Sequence, residues 1–172
     1  MNCFIIAALT ADGFIGRTID DRSFDWTSKE DKQFYINKIK SADAIIMGSK
    51  TFDTFKLHPR GSRWEIYTRS PQEFVNHKPD IIRASGTDEE PQELIKRLEK
   101  EGVESIAIAG GASIYTMFMK AGVVDRLYLT VESVLFGDGV KLFNQGFEKK
   151  LNLVKTQNLS PKTLLLEYSV NQ

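Results

Sequence analysis

The residues best suited to chemistry begin at "FDWTSKEDKQFY", positions 24–35. Thr27 to Glu30 reads T-x-x-E, a capping box opening a helix that runs to about Lys40. At about 100° per residue, Asp31 then projects beside Phe34, Tyr35 and Ile39, on the edge of the apolar stripe. Lys29, Gln33, Asn37 and Lys40 fall on the other side. An unpaired carboxylate so placed costs desolvation energy, so it needs a partner or a task such as proton transfer. The competing reading is an acid at a helix start, favoured by the helix dipole.

Two strand-to-helix junctions are suited to binding phosphate. "IIMGSKTF" places Gly48 after an apolar run, with Ser49, Lys50 and Thr51 opening a helix. "IAGGASIY" repeats the arrangement with Gly110 and Gly111 ahead of Ala112, Ser113 and Ile114. Glycine there lets backbone amides face outward, and a helix start favours anions. Together the junctions suit the two phosphates of a dinucleotide; singly, each reads equally well as a turn without ligand. "YTRSP" sets Thr68, Arg69 and Ser70 at the end of a third run. Guanidinium and hydroxyls there suit a ribose 2′-phosphate, which separates NADPH from NADH. A solvated turn arginine is the alternative.

Those junctions need a sheet to position them. Apolar runs at 3–9, 44–47, 64–68, 80–84, 105–109 and 126–132 read as strands, and helices are expected at about 28–40, 49–55, 91–101 and 112–121. Continuous apolar strands separated by helices imply a mostly parallel sheet covered on both faces, an α/β fold. "LNLVKTQNL" and "KTLLLEYSV" have no helix between them and read as a closing antiparallel pair. Ligands then gather at the carboxyl ends of the parallel strands. "TADGFIGR", residues 10–17, begins a long polar segment reaching Trp26, read either as a cover over the site or as a surface excursion.

Composition narrows the functional class. Zero formal net charge over 172 residues gives no basic field for nucleic acid. One cysteine, Cys3, excludes an internal disulfide, and two separated histidines, His58 and His77, offer no metal set and read as surface residues. No apolar run approaches the roughly 20 residues needed to span a bilayer. The expectation is one cytoplasmic domain over 1–172, monomeric or homodimeric, without metal, membrane or nucleic-acid partner.

Taken together, "IIAALTADGFIG", Trp26 with Asp31 five residues on, "IIMGSKTF", "YTRSP", "IAGGASIY", "DRLYLT" and "GDG" at 137–139 resemble the dihydrofolate reductase superfamily over nearly the whole chain. The resemblance implies that family's three-layer sandwich and hydride transfer from NADPH to a pterin imine. It implies Asp31 as the carboxylate on the pterin edge, Thr130 as its tethering hydroxyl, Trp26 as the holder of a water and the cover, and Tyr115 beside nicotinamide and substrate. Ala8, Ile15 and Gly16 would frame the nicotinamide. Gly48, Ser49, Lys50 and Thr51 would meet one side of the phosphates and Gly110, Gly111, Ala112, Ser113 and Ile114 the other. Thr68 and Arg69 would take the 2′-phosphate. Tyr35, Phe55 and Arg63 complete the expected substrate contacts, Arg63 or Arg60 being the candidates for a folate carboxylate.

The chain also departs from a standard folate enzyme. Ser49 stands where arginine is usual, and Lys32 follows Asp31 where an apolar residue is usual. "SVLFGDGVKLF" resembles the reductase domain of riboflavin biosynthesis more closely. The leading expectation is 7,8-dihydrofolate reduction. The alternative is reduction of a ribosylamino-pyrimidine to its ribitylamino form, for which Lys32, Arg60 and Arg63 would meet a substrate phosphate. A dinucleotide-binding module without turnover is the reading from another class.

Overall fold

A computed structural model describes residues 1–55 and 58–171. Strands are β1 (Asn2–Thr10), β2 (Phe14–Gly16), β3 (Ala44–Gly48), β4 (Arg63–Tyr67), β5 (Arg83–Thr87), β6 (Ser105–Ile108), β7 (Arg126–Glu132), β8 (Val140–Lys141), β9 (Leu151–Ser160) and β10 (Thr163–Val170). Helices are α1 (Lys29–Lys40), α2 (Ser49–Thr54), α3 (Pro91–Lys100) and α4 (Ala112–Lys120). The main sheet runs β5-β4-β3-β6-β1-β7-β10-β9. Its first six strands are mutually parallel; β10 and β9 join antiparallel. The expected α/β architecture, with its closing hairpin, is therefore present.

Both sheet faces are covered, which is why the strands read as continuous apolar runs. In β1, Cys3, Ile5 and Ala7 enter a core with Leu94 and Leu98 of α3 and Phe118 of α4. Phe4 and Ile6 enter the opposite core with Tyr35 and Ile39 of α1, Phe52 of α2, and Trp64. The period-two alternation of strand side chains divides one sequence run between two cores. β9 differs: eight of its ten residues are exposed, as suits the edge of the sheet.

Three local expectations need correction. The expected strand at 80–84 is displaced: β5 begins at Arg83, pairing with Arg63. Ile81 and Ile82 instead donate their amides to the Lys78 carbonyl in a turn, although Ile82 is buried. The cap of α1 is Ser28, whose hydroxyl accepts the Asp31 amide at 3.0 Å, not Thr27. His58 is no solvated loop residue, since it packs against the rings of Phe52, Phe55 and Trp64.

A small sheet of β2 and β8 was not legible in advance. It joins the 10–17 segment to the "GDG" segment. Gly139, at φ +155, passes so close to the Gly16 carbonyl that a side chain there would collide with it. Asp12 accepts the Thr10 hydroxyl and the amides of Phe136 and Gly137. These bonds, the Thr10 hydroxyl foremost, hold its carboxyl below the usual range. The loop after β1 is thereby fixed across the carboxyl end of the sheet.

Candidate active site

Asp31 stands where two elements meet. It shares the buried stripe of α1 with Tyr35 and Ile39, one turn apart, and only 4% of its surface is exposed. Thr130, in the middle of β7 beside Ala8 of β1, donates its hydroxyl to Asp31 Oδ1 at 2.5 Å. Burial is the main influence on the Asp31 carboxyl and raises its pKa above the ordinary value. The Thr130 and Thr27 hydroxyls pull it down, the Glu132 charge pushes it up, and Lys32 lowers it weakly. Desolvation wins, so the group holds its proton more tightly than a free aspartate. That is what a proton donor working near neutral pH requires.

Around this acid the site is aromatic. Tyr115 donates its hydroxyl to the Ile6 carbonyl at 2.8 Å. Tyr35 reaches the Ala109 carbonyl at 3.4 Å. Burial raises both phenols, Tyr35 also through Tyr115 and Asp31, so they stay neutral donors. Phe55 lies edge-on to Tyr35 at 5.8 Å between centroids. Phe24, in the short 3₁₀ turn Ser23–Asp25, packs edge-on against both Tyr35 and Phe55 at 5.6 and 5.7 Å. Trp26 stacks edge-on to Phe136 at 5.2 Å, and its indole N–H is buried without a partner among the described residues.

The two glycine junctions converge beside this cluster. Gly48 N–H bonds the Gly110 carbonyl at 2.9 Å, joining β3 to the end of β6. A Cβ on Gly111 would lie 3.0 Å from Thr51 Oγ1, and one on Gly48 would lie 3.3 Å from Ile114 Cγ1. Gly110, at φ +144, would bring a Cβ within 3.0 Å of Thr51 Cγ2. Positive φ favours glycine at 110, and the close approach of the junctions leaves little room for a side chain at 48 and 111. Neither α2 nor α4 has a side-chain cap, which leaves their first amides available to an anion. The chemistry of this cradle fits a dinucleotide pyrophosphate. Ser49 is half-buried at the first helix start, while Lys50 and Ser113 are exposed at the two starts. Ala112 opens α4.

Further along the same edge, Thr68 follows β4, and its amide bonds the Thr87 carbonyl of β5 at 3.0 Å. Arg69 is exposed beside it. Ala8 is buried, and Ile15 and Gly16 lie in β2. Arg63 is the exception. It begins β4, at the amino end of a parallel strand and so at the edge opposite the glycines. There it pairs with buried Glu65 at 2.8 Å and with Glu101 at 2.7 Å. The expected substrate contact for Arg63 is corrected accordingly: sequence proximity to the site could not reveal which end of the strand it occupies.

Sequence reasoning also missed Phe24, Phe136 and Glu132. Phe136 had a signal in its neighbour "GDG"; Phe24 had none beyond its apolar type. Glu132 had one, a carboxylate ending the apolar run "RLYLTVE". Among the described residues no group of three or more histidine, cysteine or acidic side chains is placed to hold a metal, and no helix is long and apolar enough to cross a membrane.

Comparison with known proteins places these features in a family. The family model described as the RibD C-terminal domain matches residues 3–165. The Bacillus subtilis protein YwjB is 30% identical over 159 residues, covering 87% of each chain. In structure, a pyrimidine reductase-like protein from Corynebacterium diphtheriae superposes with a TM-score of 0.78 at 19% identity, over 99% of this chain and 92% of that one. A dihydrofolate reductase from Enterococcus faecalis, solved with NADP(H), gives 0.67 at 19% identity, over 99% and 97%. Likeness at that identity speaks for the fold alone.

Proposed function

This chain belongs to the RibD C-terminal domain family, and from that premise we propose that residues 1–172 act as one NADPH-dependent reductase domain on a ribosylamino-pyrimidine. The family match over residues 3–165 carries this reading. Arg63 does not separate the two substrates: Glu65 and Glu101 hold it at the opposite edge of the sheet, away from a folate carboxylate and a pyrimidine's phosphate alike. The preference thus moves from dihydrofolate, the leading expectation from sequence, to the pyrimidine.

In this reading NADPH supplies the hydride. Gly48, Ser49, Lys50 and Thr51 bind one side of its phosphates and Gly110 to Ile114 the other. Thr68 and Arg69 take the 2′-phosphate, and Ala8, Ile15 and Gly16 frame the nicotinamide. Asp31 hydrogen-bonds the amide edge of the heterocycle and Tyr35 with Phe55 bounds its faces. The reacting C=N bond of the opened sugar gains hydride at carbon and a proton at nitrogen. Asp31, held by Thr130 and buried against water, keeps that proton available. The loop carrying Trp26 excludes solvent, which strengthens every charge interaction inside.

Dihydrofolate is the second reading, favoured by one observation, the tethered Asp31–Thr130 pair that a pterin reductase needs. NADPH oxidation followed at 340 nm with each substrate separates the two. Faster turnover of the pyrimidine, with ribitylamino product, is expected. Faster turnover of dihydrofolate would reverse the assignment, and NADPH binding without oxidation of either would favour a non-catalytic module.

A further inference from the structure

We infer that Glu132 is a second carboxylate of the site, a positioning residue that fixes the start of α1 and acts through its charge on Asp31. The inference rests on the proposed function in taking Asp31 as the proton-handling group. Thr130 and Glu132 are two residues apart on β7, so their side chains leave the same face of the sheet. Thr130 holds the Asp31 carboxylate itself. Glu132 holds the segment just before it: Oε1 accepts the Ser28 amide at 2.9 Å. Its Oε2 accepts the Thr163 hydroxyl at 3.0 Å, and that hydroxyl meets Ser28 Oγ at 2.8 Å. Ser28 Oγ in turn accepts the Asp31 amide. One strand therefore grips the acid and its helix start through two neighbouring side chains.

Nothing in the fold alone requires a carboxylate at that position. Glu132 is 5% exposed, and among the described residues no lysine or arginine forms an ion pair with it. A glutamine would accept the same amide through its carbonyl oxygen without the cost of burying charge. What only the carboxylate supplies is negative potential beside Asp31, and it opposes ionisation there. The other groups facing Asp31 are Lys32 and Tyr35 from α1, and the hydroxyls of Thr27 and Thr130. Glu132 also lines a pocket of about 220 Å³ with Trp26, Thr27, Ser28 and Lys162.

The test is a carboxyl ¹³C NMR titration of the full chain, wild type against Glu132→Gln, without cofactor. The Asp31 midpoint should fall by about half a pH unit or more, roughly threefold in proton affinity. Glu132→Met, which removes the charge with a side chain of similar length, should lower the Asp31 midpoint in the same direction. If Glu132→Gln does not fold, Glu132→Met decides alone. An Asp31 midpoint unmoved when the Glu132 charge is removed would reduce Glu132 to a structural anchor and overturn the inference. Midpoints that shift in a protein that turns over neither substrate would uphold the coupling while the functional reading fell.

Discussion

The two halves of the site are made of different material. The proposed cofactor half is built from backbone: Gly48, Gly110 and Gly111 approach so closely that a Cβ meets its neighbours at 3.0 to 3.3 Å. The proposed substrate half is built from side chains: Asp31, Thr130, Tyr35, Tyr115 and Glu132 are all buried, and Thr130 bonds Asp31 directly. Backbone amides bind a common feature, phosphate, whatever else the ligand carries. In the proposed reaction, buried side chains would select one heterocycle and move one proton.

The division predicts separable losses. The largest belongs to Asp31→Asn, which removes the acid: turnover should drop about 100-fold or more in the 340 nm assay. Next comes Gly110→Ala, where positive φ and the 3.0 Å contact with Thr51 both oppose a side chain. NADPH affinity, read by fluorescence titration, should weaken about tenfold, the equivalent of some 1.4 kcal/mol.

Thr130→Val should act on the substrate half alone. It deletes a bond that favours ionised Asp31. The ionisation seen in the pH–rate profile should therefore move to higher pH, with turnover down by roughly tenfold. NADPH affinity unchanged beside that shift would sharpen the division; a joint loss would blur it.

Asp31 should also be costly to the fold. Its carboxyl holds a proton more tightly in the folded chain than in the unfolded one, whose value is about 3.9. Between those values the native state binds more protons, so stability falls as pH rises through the window. Above it the native chain bears a buried charge that Asp31→Asn lacks. Thermal unfolding at pH 7 should show the variant more stable by on the order of 1 kcal/mol. The gap should close below about pH 4. The smallest effect belongs to Arg63→Ala, since Arg97 remains at 3.1 Å on Glu65. The substrate KM should stay unchanged within about twofold, with a stability loss near 1 kcal/mol.

Much of this was legible in the sequence because the cofactor half depends on residue type at close spacing. A glycine between an apolar run and a helix declares its own geometry, and "IIMGSKTF" and "IAGGASIY" did so. Asp31 was legible because helical periodicity places it on the buried stripe. Glu132 and Phe24 were not, since their partners lie more than 100 residues away at Ser28 and about 11 and 31 away at Tyr35 and Phe55. Arg63 failed for a related reason: its role depends on which end of β4 it occupies, and strand direction is a property of the assembled sheet. β5 began later than expected because "RASGT" carries little of the β-branched signal that marks a strand.

One titration tests the division between the halves most directly: NADPH binding to Asp31→Asn, set beside its turnover. The structure predicts affinity within about twofold of wild type while turnover falls about 100-fold. An affinity that falls in step with turnover would contradict it, showing that the acid and the glycine cradle form a single unit.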